Sequence, residues 1–106
     1  MNGSGTTDSG ISLDEQTAAQ VAELFRAFGD ASRVRLIAAL VGGETTVGTL
    51  AKAVGISDSA VSHHMRGLRQ MRLVRARKQG RQVFYRLADD HVTGLFRRGL
   101  EHVQLG

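Results

Sequence analysis

The chain of 106 residues contains no cysteine. It can therefore form neither a disulfide framework nor a thiolate metal site, and a thiol-based redox sensor is excluded. No apolar run approaches the ~20 residues that a membrane-spanning helix needs, so we expect no membrane partner. The length allows one domain at most. Because so short a chain buries only about 60–65% of its unfolded surface, dimerisation is a common way to stabilise it.

The first residues also lack the features of a secretion signal. Residues 1–10 are polar and rich in Gly, Ser and Thr, without a basic start or an apolar core. We therefore expect a cytoplasmic protein in which residues 1–11 form a disordered arm and residues 12–106 form the single domain.

Acidic residues are absent from a long stretch of the chain. Residues 59–88 contain no Asp or Glu, and all ten acidic residues lie outside them. This stretch, here called the basic block, holds Arg66, Arg69, Arg72, Arg75, Arg77, Lys78, Arg81 and Arg86. One-sign charge within a hydrophobically patterned segment indicates a polyanion partner, and the alternative is a solvated basic face.

The residues that catalysis needs are missing as well. The chain has no Cys nucleophile, no Ser/His/Asp arrangement supported beyond chance and no Gly-rich phosphate loop. Its 13 glycines are scattered, and the basic block lacks the clustered carboxylates of a nuclease. We therefore expect a protein that is not an enzyme.

The hydrophobic pattern predicts four helices, a β-hairpin and a last helix. Ser12 and Glu15 have the spacing of a capping box, which places the first helix start there. The candidate caps of three later helices are Asp30 or Ser32, Ser57 or Asp58, and Asp89 or Asp90. The period changes to alternation after residue 71, which predicts strands over residues 73–77 and 82–87 with a turn at 78–81.

A short helix, a glycine turn, a second helix and a basic hairpin follow each other in the order of a winged helix-turn-helix. Gly55 can take the positive φ that the sharp turn needs. The side chains spaced to pack the two helices together are Leu50, Val54, Ile56, Val61 and Leu68. We therefore expect a mainly α-helical fold with a small β-hairpin.

The second helix of this pair starts with small hydrogen-bonding side chains over residues 57–64, which suit a DNA major groove. Arg66 follows on the same element and suits phosphates. Adjacent histidines on a helix point about 100° apart and rarely share an ion, so His63 is interpreted as a DNA contact and His64 as structural or exposed. The hairpin tip suits the DNA backbone or minor groove through Arg77, Lys78, Gln79 and Arg81.

Three segments of the chain carry a family resemblance: GDASRVRLI (29–37), SAVSHHMRGL (59–68) and RKQGRQVFYRL (77–87). They resemble the ArsR/SmtB family of metal-responsive bacterial repressors, and the likeness extends from about residue 18 to residue 104. It implies a winged-helix repressor of bacterial origin that binds double-stranded operator DNA. By the family's pattern, Ser59, Ser62 and His63 contact DNA, and we expect Ser57, at the start of the same helix, to contact DNA with them.

The resemblance also implies a homodimer formed through the first and last helices. The apolar residues expected in that interface are Val21, Leu24, Phe25, Leu95, Phe96, Leu100 and Val103.

The last helix carries two histidines, His91 and His102, which are eleven residues apart. Eleven residues make about three helical turns, so both lie on one stripe about 16 Å apart, too far to share one ion. If two copies pack antiparallel about a two-fold axis near residue 96 or 97, His91 of one copy lies level with His102 of the other. Asp89, at the helix cap, can turn toward His91. Such ligands suit Zn²⁺, Co²⁺ or Ni²⁺, and no organic cofactor is expected.

The family's sensor pattern on the last helix has four ligands, and the resemblance places three of them at Asp89, His91 and His102. The fourth is expected at position 105, where this chain has Leu105. Groups that would complete a three-ligand site are water, Glu101, Asp90 or residues beyond position 106. A second family site uses cysteines at the start of the third helix, and this chain has none there.

Two interpretations therefore remain open for the last helix. The resemblance favours a repressor whose DNA binding responds to a divalent metal. The alternative is a repressor of the same fold that senses no metal, in which Asp89 is only an N-cap and both histidines are ordinary interface residues.

Overall fold

The computed structural model describes residues 9–106, so most of the predicted disordered arm of residues 1–11 lies outside the described residues. In chain order the elements are α1 (Glu15–Ala27), α2 (Ala31–Leu40), β1 (Thr45–Thr46), α3 (Val47–Val54), α4 (Asp58–Gln70), β2 (Val74–Gln79), β3 (Gln82–Leu87) and α5 (Asp90–Leu105). The predicted winged helix-turn-helix is confirmed, with one strand that the sequence did not indicate.

The first helix begins later than the sequence pattern predicted. Asp14 is the N-cap, and its Oδ1 accepts the Thr17 backbone N–H at 2.7 Å. The prediction of a capping box that starts at Ser12 is therefore wrong, because Glu15 is the first residue of the helix and not the third. An ionised carboxylate at the cap satisfies an unpaired N–H and interacts favourably with the positive end of the helix dipole.

Polar side chains also cap the other four helices. The N-caps are Asp30, Thr46, Ser57 and Asp89, and each side chain accepts a backbone N–H from the first turn of its helix. In each predicted pair the earlier residue takes the cap, which leaves Asp58 and Asp90 in the first turn, where negative charge is favourable.

The corner between α1 and α2 is held by one arginine. Nε of Arg33 donates to the carbonyl of Ala27 and Nη2 donates to that of Arg26, both at 2.9 Å. The Arg33 backbone N–H donates to Asp30 Oδ1 at 3.0 Å, and this bond is the main cause that lowers the pKa of Asp30. Arg33 thus satisfies carbonyls at the end of α1 while it belongs to the first turn of α2.

The core lies between α2, α3, α4 and the base of the sheet. Its largest fully buried side chains are Leu36, Ile37, Leu50, Met65, Leu68, Val61 and Val74. The outer helices contribute little to it, since the buried residues of α1 and α5 are Ala27 and Val92 alone. None of the helices in the described part of the chain is long and apolar enough to cross a lipid bilayer.

The sheet has three antiparallel strands in the order β1-β3-β2. The unpredicted strand β1 pairs Thr45 with Tyr85 and Thr46 with Phe84. Two residues are too few to show the alternation by which a strand is recognised in a sequence. The strand nevertheless connects the segment before α3 directly to the hairpin.

The hairpin is longer than predicted. β2 continues to Gln79 and β3 begins at Gln82, so the predicted four-residue turn at 78–81 is wrong and the connection is two residues long. Gly80 has φ +62°, as two-residue hairpin turns require. Arg75 lies directly opposite Arg86 in the β2–β3 register.

We predict that Arg33→Ala lowers the free energy of unfolding by about 1–2 kcal/mol, because two helix-end carbonyls lose a charged donor. Urea unfolding followed by far-UV circular dichroism measures the change. Arg35→Ala is the control: Arg35 is exposed on the same helix, and its removal should change stability by less than about 0.5 kcal/mol. Equal effects of the two substitutions would contradict the assigned role of Arg33.

Candidate DNA-binding surface and metal ligands

Buried apolar side chains hold α3 and α4 together on both sides of the turn. Gly55 has φ +79° and ψ +34°, the left-handed conformation that the sequence analysis required of it. Leu50 and Val54 on α3 and Val61 and Leu68 on α4 are all buried. The opposite side of α4 is consequently held facing solvent.

The exposed side of α4 begins with serines and a histidine. Ser57 Oγ accepts the Ala60 backbone N–H at 3.1 Å and lies 3.4 Å from Ser59 Oγ, so the Ser57 hydroxyl already serves as the helix cap. Ser59 and His63 are exposed and Ser62 is half-buried. Ser59, Ser62 and His63 lie within about one helical turn and form a hydrogen-bonding surface suited to base edges and phosphates.

The two adjacent histidines have different environments. His63 is exposed, whereas His64 is half-buried and its Nδ1 has no hydrogen-bond partner within residues 9–106. Their ring centroids are 5.8 Å apart with the rings at 60°. Only His63 presents its ring to solvent on the side of Ser59.

Most of the basic block has no acidic partner. Among the described residues, Arg77 is the only member within ion-pair distance of a carboxylate. Four members on α4 and at the hairpin tip are exposed: Arg66, Arg69, Lys78 and Arg81. Unpaired cations along one helix and one hairpin suit the phosphate backbone of a nucleic acid.

Arg77 is engaged within the protein. Its Nη2 and Nε donate to the two carboxylate oxygens of Glu44 at 2.7 and 3.2 Å, and its Nη1 donates to Gln79 Oε1 at 2.6 Å. The guanidinium carbon lies 4.7 Å from the centre of the Phe84 ring. The side-chain hydrogen bond is the first cause that lowers the pKa of Glu44 and raises that of Arg77.

Glu44 is a functional candidate that the sequence analysis missed. It is 33 positions from Arg77, and no local spacing relates the two residues. Only the pairing of β1 with β3 brings them together. Arg77 and Gln79, which were predicted to contact DNA, therefore already bind another protein group.

The start of α5 brings together two of the three predicted metal ligands. Asp89 Oδ1 accepts the backbone N–H groups of His91 and Val92 at 2.9 and 3.2 Å, and lies 3.6 Å from His91 Nδ1. The His91 side chain is 97% exposed and that of Asp89 53%. His102 is exposed in the last turn of the same helix, far from the pair.

One chain does not assemble a complete metal site. Within residues 9–106, no three His, Asp or Glu side chains lie close enough to hold a metal ion. The donor set is an exposed oxygen–nitrogen pair at one end of α5 and a nitrogen at the other, which fits a Zn²⁺-type ion only when a second copy supplies the remaining donor. Leu105 is 87% exposed and supplies none.

The two outer helices each carry exposed or half-buried apolar side chains, which are here together called the apolar strip. Four of its members are exposed: Val21 (38%), Phe25 (56%), Leu100 (40%) and Val103 (76%). Three more residues predicted for the dimer interface are half-buried: Leu24, Leu95 and Phe96. Exposed apolar side chains grouped on two helices are typical of a protein interface.

The fold and the exposed α4 define a winged helix-turn-helix regulator. The sequence profile described as "Bacterial regulatory protein, arsR family" matches residues 30–76. The transcriptional repressor SmtB homolog of Synechocystis sp. is 50% identical over 94 residues, which cover 89% of this chain and 70% of that protein. The chain belongs to the ArsR family of bacterial regulatory proteins and is not an enzyme.

Two solved structures agree with this assignment. The AntR antimony-specific transcriptional repressor has a TM-score of 0.83 at 28% identity, with 98% of this chain and 95% of that one covered. The homodimeric winged helix-turn-helix DNA-binding domain Mb0332 of Mycobacterium bovis has a TM-score of 0.77 at 28% identity, with 89% and 90% covered.

We predict that Arg81→Ala weakens DNA binding and reduces the slope of log affinity against log salt by about 1, as the loss of one phosphate contact does. Fluorescence anisotropy over a salt series measures both quantities. Arg35→Ala, outside the basic block, is the matched control and should leave the slope unchanged. An unchanged slope for Arg81→Ala would remove Arg81 from the interface.

Proposed function

We propose that this protein is a homodimeric repressor that binds operator DNA and releases it when a divalent metal ion (Zn²⁺, Co²⁺ or Ni²⁺) binds between the last helices of two copies. The observation that carries the proposal is the arrangement of α5. Asp89 and His91 lie together at its start and His102 lies in its last turn, beside an uncovered apolar strip. The chain belongs to the ArsR family and is similar to proteins named as transcriptional repressors, and both findings support the proposal.

The apolar strip on α1 and α5 is the surface by which two copies would associate. Phe25 and Val103 are more than half exposed, which is costly for an isolated chain of this size. A two-fold axis would bury the same strip from both copies at once. The homodimeric state of the Mycobacterium bovis domain supports this arrangement.

Each copy would present one α4 to DNA. Ser59, His63 and Arg66 are exposed along this helix, and Lys78 and Arg81 are exposed on the hairpin beside it. Two copies related by a two-fold axis would contact two half-sites, so the operator should itself be close to palindromic. Side chains on α4 would read bases, and the hairpin cations would contact phosphates.

Asp89 and His91 of one copy and His102 of a second would hold the metal ion, whose positive charge would join the two helices. The cap already fixes Asp89 Oδ1, and its Oδ2 makes no hydrogen bond within residues 9–106. A carboxylate held in this way, next to an exposed imidazole, loses little freedom on binding a ligand.

The start of α5 is connected to the DNA-binding surface. The Ala88 backbone N–H, one residue before the cap, donates to the carbonyl of Leu73 at 3.0 Å. Leu73 lies between α4 and β2 and is buried, and its own N–H donates to the Leu68 carbonyl at 2.9 Å. A displacement at Asp89 would therefore act on the end of α4. Because such coupling is reciprocal, operator DNA should weaken metal binding by the same factor.

A second candidate function is a repressor of the same fold that does not sense metal. Leu105 favours it, because this exposed apolar side chain stands where the resemblance implies a fourth ligand. In that case Asp89 serves only as the cap of α5, and the two histidines remain ordinary surface or interface residues.

We predict about one tightly bound ion per chain when the purified dimer is titrated with zinc, cobalt and nickel. His91→Ala and His102→Ala should each abolish tight binding, because three protein ligands fall to two. Calorimetry gives the stoichiometry, and a cobalt absorption spectrum reports the coordination. His63→Ala is the matched control: it removes a histidine outside α5 and should weaken DNA binding while metal binding stays intact.

The two functions give different results in the same assay. In the sensor, wild-type protein releases an operator duplex on metal addition, whereas His91→Ala binds the duplex and keeps it. Unchanged release by His91→Ala would show that the assigned ligands are wrong. Absence of any metal effect on the wild-type protein would select the repressor that senses no metal.

For the dimer, we predict that Leu100→Asp shifts the protein to monomers, because it places an unpaired charge in the apolar strip. Analytical ultracentrifugation measures the change. Arg98→Asp introduces the same side chain at a charged, exposed position of the same helix and is the control for the effect of charge. If Leu100→Asp stays dimeric, α5 does not form the interface.

A further inference from the structure

We infer that Arg77 is a positioning residue which, together with Glu44, fixes the direction of the hairpin relative to α3 and α4, and does not itself contact DNA. The inference rests on the proposed DNA-binding function, because its purpose is to place the cations of the hairpin tip. It changes the role that the sequence predicted for Arg77.

The ion pair spans the whole width of the sheet. Glu44 directly precedes β1, Arg77 lies on β2, and the strand between them is β3. Phe84 of β3 pairs with Thr46 on one side and Arg77 on the other. The Arg77 guanidinium lies over the Phe84 ring and binds both oxygens of Glu44 beyond it. The contact therefore connects the two outer strands, β1 and β2, across the middle strand β3.

The hairpin needs such an attachment because β1 is so short. β1 contributes only two residue pairs to β3, and β2, on the far side, has no pairing with it. From Lys78 to Gln82 every side chain is exposed. Without the Glu44–Arg77 contact, the outer half of the hairpin is held only by the β2–β3 ladder and is able to swing relative to α3.

A phosphate contact by Arg77 is disfavoured by the same geometry. Its Nε and both terminal nitrogens already donate hydrogen bonds, to Glu44 and to Gln79. Moving the guanidinium to a phosphate would leave the Glu44 carboxylate without its partner beside the negative DNA backbone. Lys78 and Arg81 have no carboxylate partner in the described part of the chain, so they are the cations of the hairpin tip that are available to DNA.

The first test uses the free protein. Arg77→Lys keeps the charge but loses the two-pronged contact and the stacking on Phe84, and Glu44→Gln removes the carboxylate charge with little change of shape. In each variant the backbone amides of residues 78–83 should exchange with deuterium about fivefold faster, and the double variant no faster than either one. Arg75→Lys is the matched control, because Arg75 lies on the same strand and face without a described hydrogen bond.

The second test uses an operator duplex selected from a random pool by the wild-type protein. Arg77→Lys should lower affinity about fivefold with an unchanged salt slope, and adding Glu44→Gln should lower it no further. Retained affinity in Arg77→Lys, or independent losses from the two substitutions, would overturn the positioning role.

The two tests separate this inference from the proposed function. If the wild-type protein selects no duplex, the proposed function fails, and the deuterium exchange of the free protein still decides whether Glu44 and Arg77 hold the hairpin. If DNA binds and residues 78–83 exchange at the wild-type rate in both variants, the inference fails while the proposed function stands.

Discussion

The left-handed turn at Gly55 is the constraint on which the DNA-binding surface depends. It lets α3 and α4 meet at an angle that buries Leu50 and Val54 against Val61 and Leu68. Any residue with a Cβ is disfavoured at this φ. Once that contact is made, the polar side of α4 has no orientation available other than toward solvent.

The first and last helices, in contrast, are only partly covered by the rest of the chain. α1 and α5 each bury a single residue in the core, Ala27 and Val92, and leave larger apolar side chains outside. A chain of 106 residues has too little core to cover every helix on both sides. The single chain therefore leaves apolar side chains exposed on both outer helices. The candidate metal ligands lie at the two ends of α5, the helix that contributes four of the seven residues of the apolar strip.

The sequence predicted those parts of the structure that depend on local pattern. The helix-turn-helix followed from helical periodicity around one glycine, and the caps at Asp30, Ser57 and Asp89 followed from polar residues at helix starts. The first helix was misplaced because Ser12 and Asp14 both offer suitable acceptors within three residues. Periodicity alone does not say which of two nearby acceptors the chain uses.

Contacts between distant parts of the chain were outside the reach of such reasoning. The two residues of β1 carry no alternation, and Glu44 meets Arg77 only because β1 joins the sheet. For the candidate metal site, the closeness of Asp89 to His91 could be foreseen from the cap position. His102 lies in the last turn of α5, so it can join Asp89 and His91 only across two copies of the chain.

The facing arginines of the hairpin, Arg75 on β2 and Arg86 on β3, give ionic strength two opposite effects on this molecule. Like charges directly opposite each other in a sheet repel, and dissolved ions screen that repulsion when the side chains are exposed. Added salt thus weakens the repulsion between Arg75 and Arg86, and it also weakens the binding of any polyanion to the hairpin. High salt would therefore stabilise the pairing of β2 with β3 and weaken the binding of a polyanion. At low salt the repulsion between the two arginines would be strong, and the negative charge of a bound polyanion would reduce it.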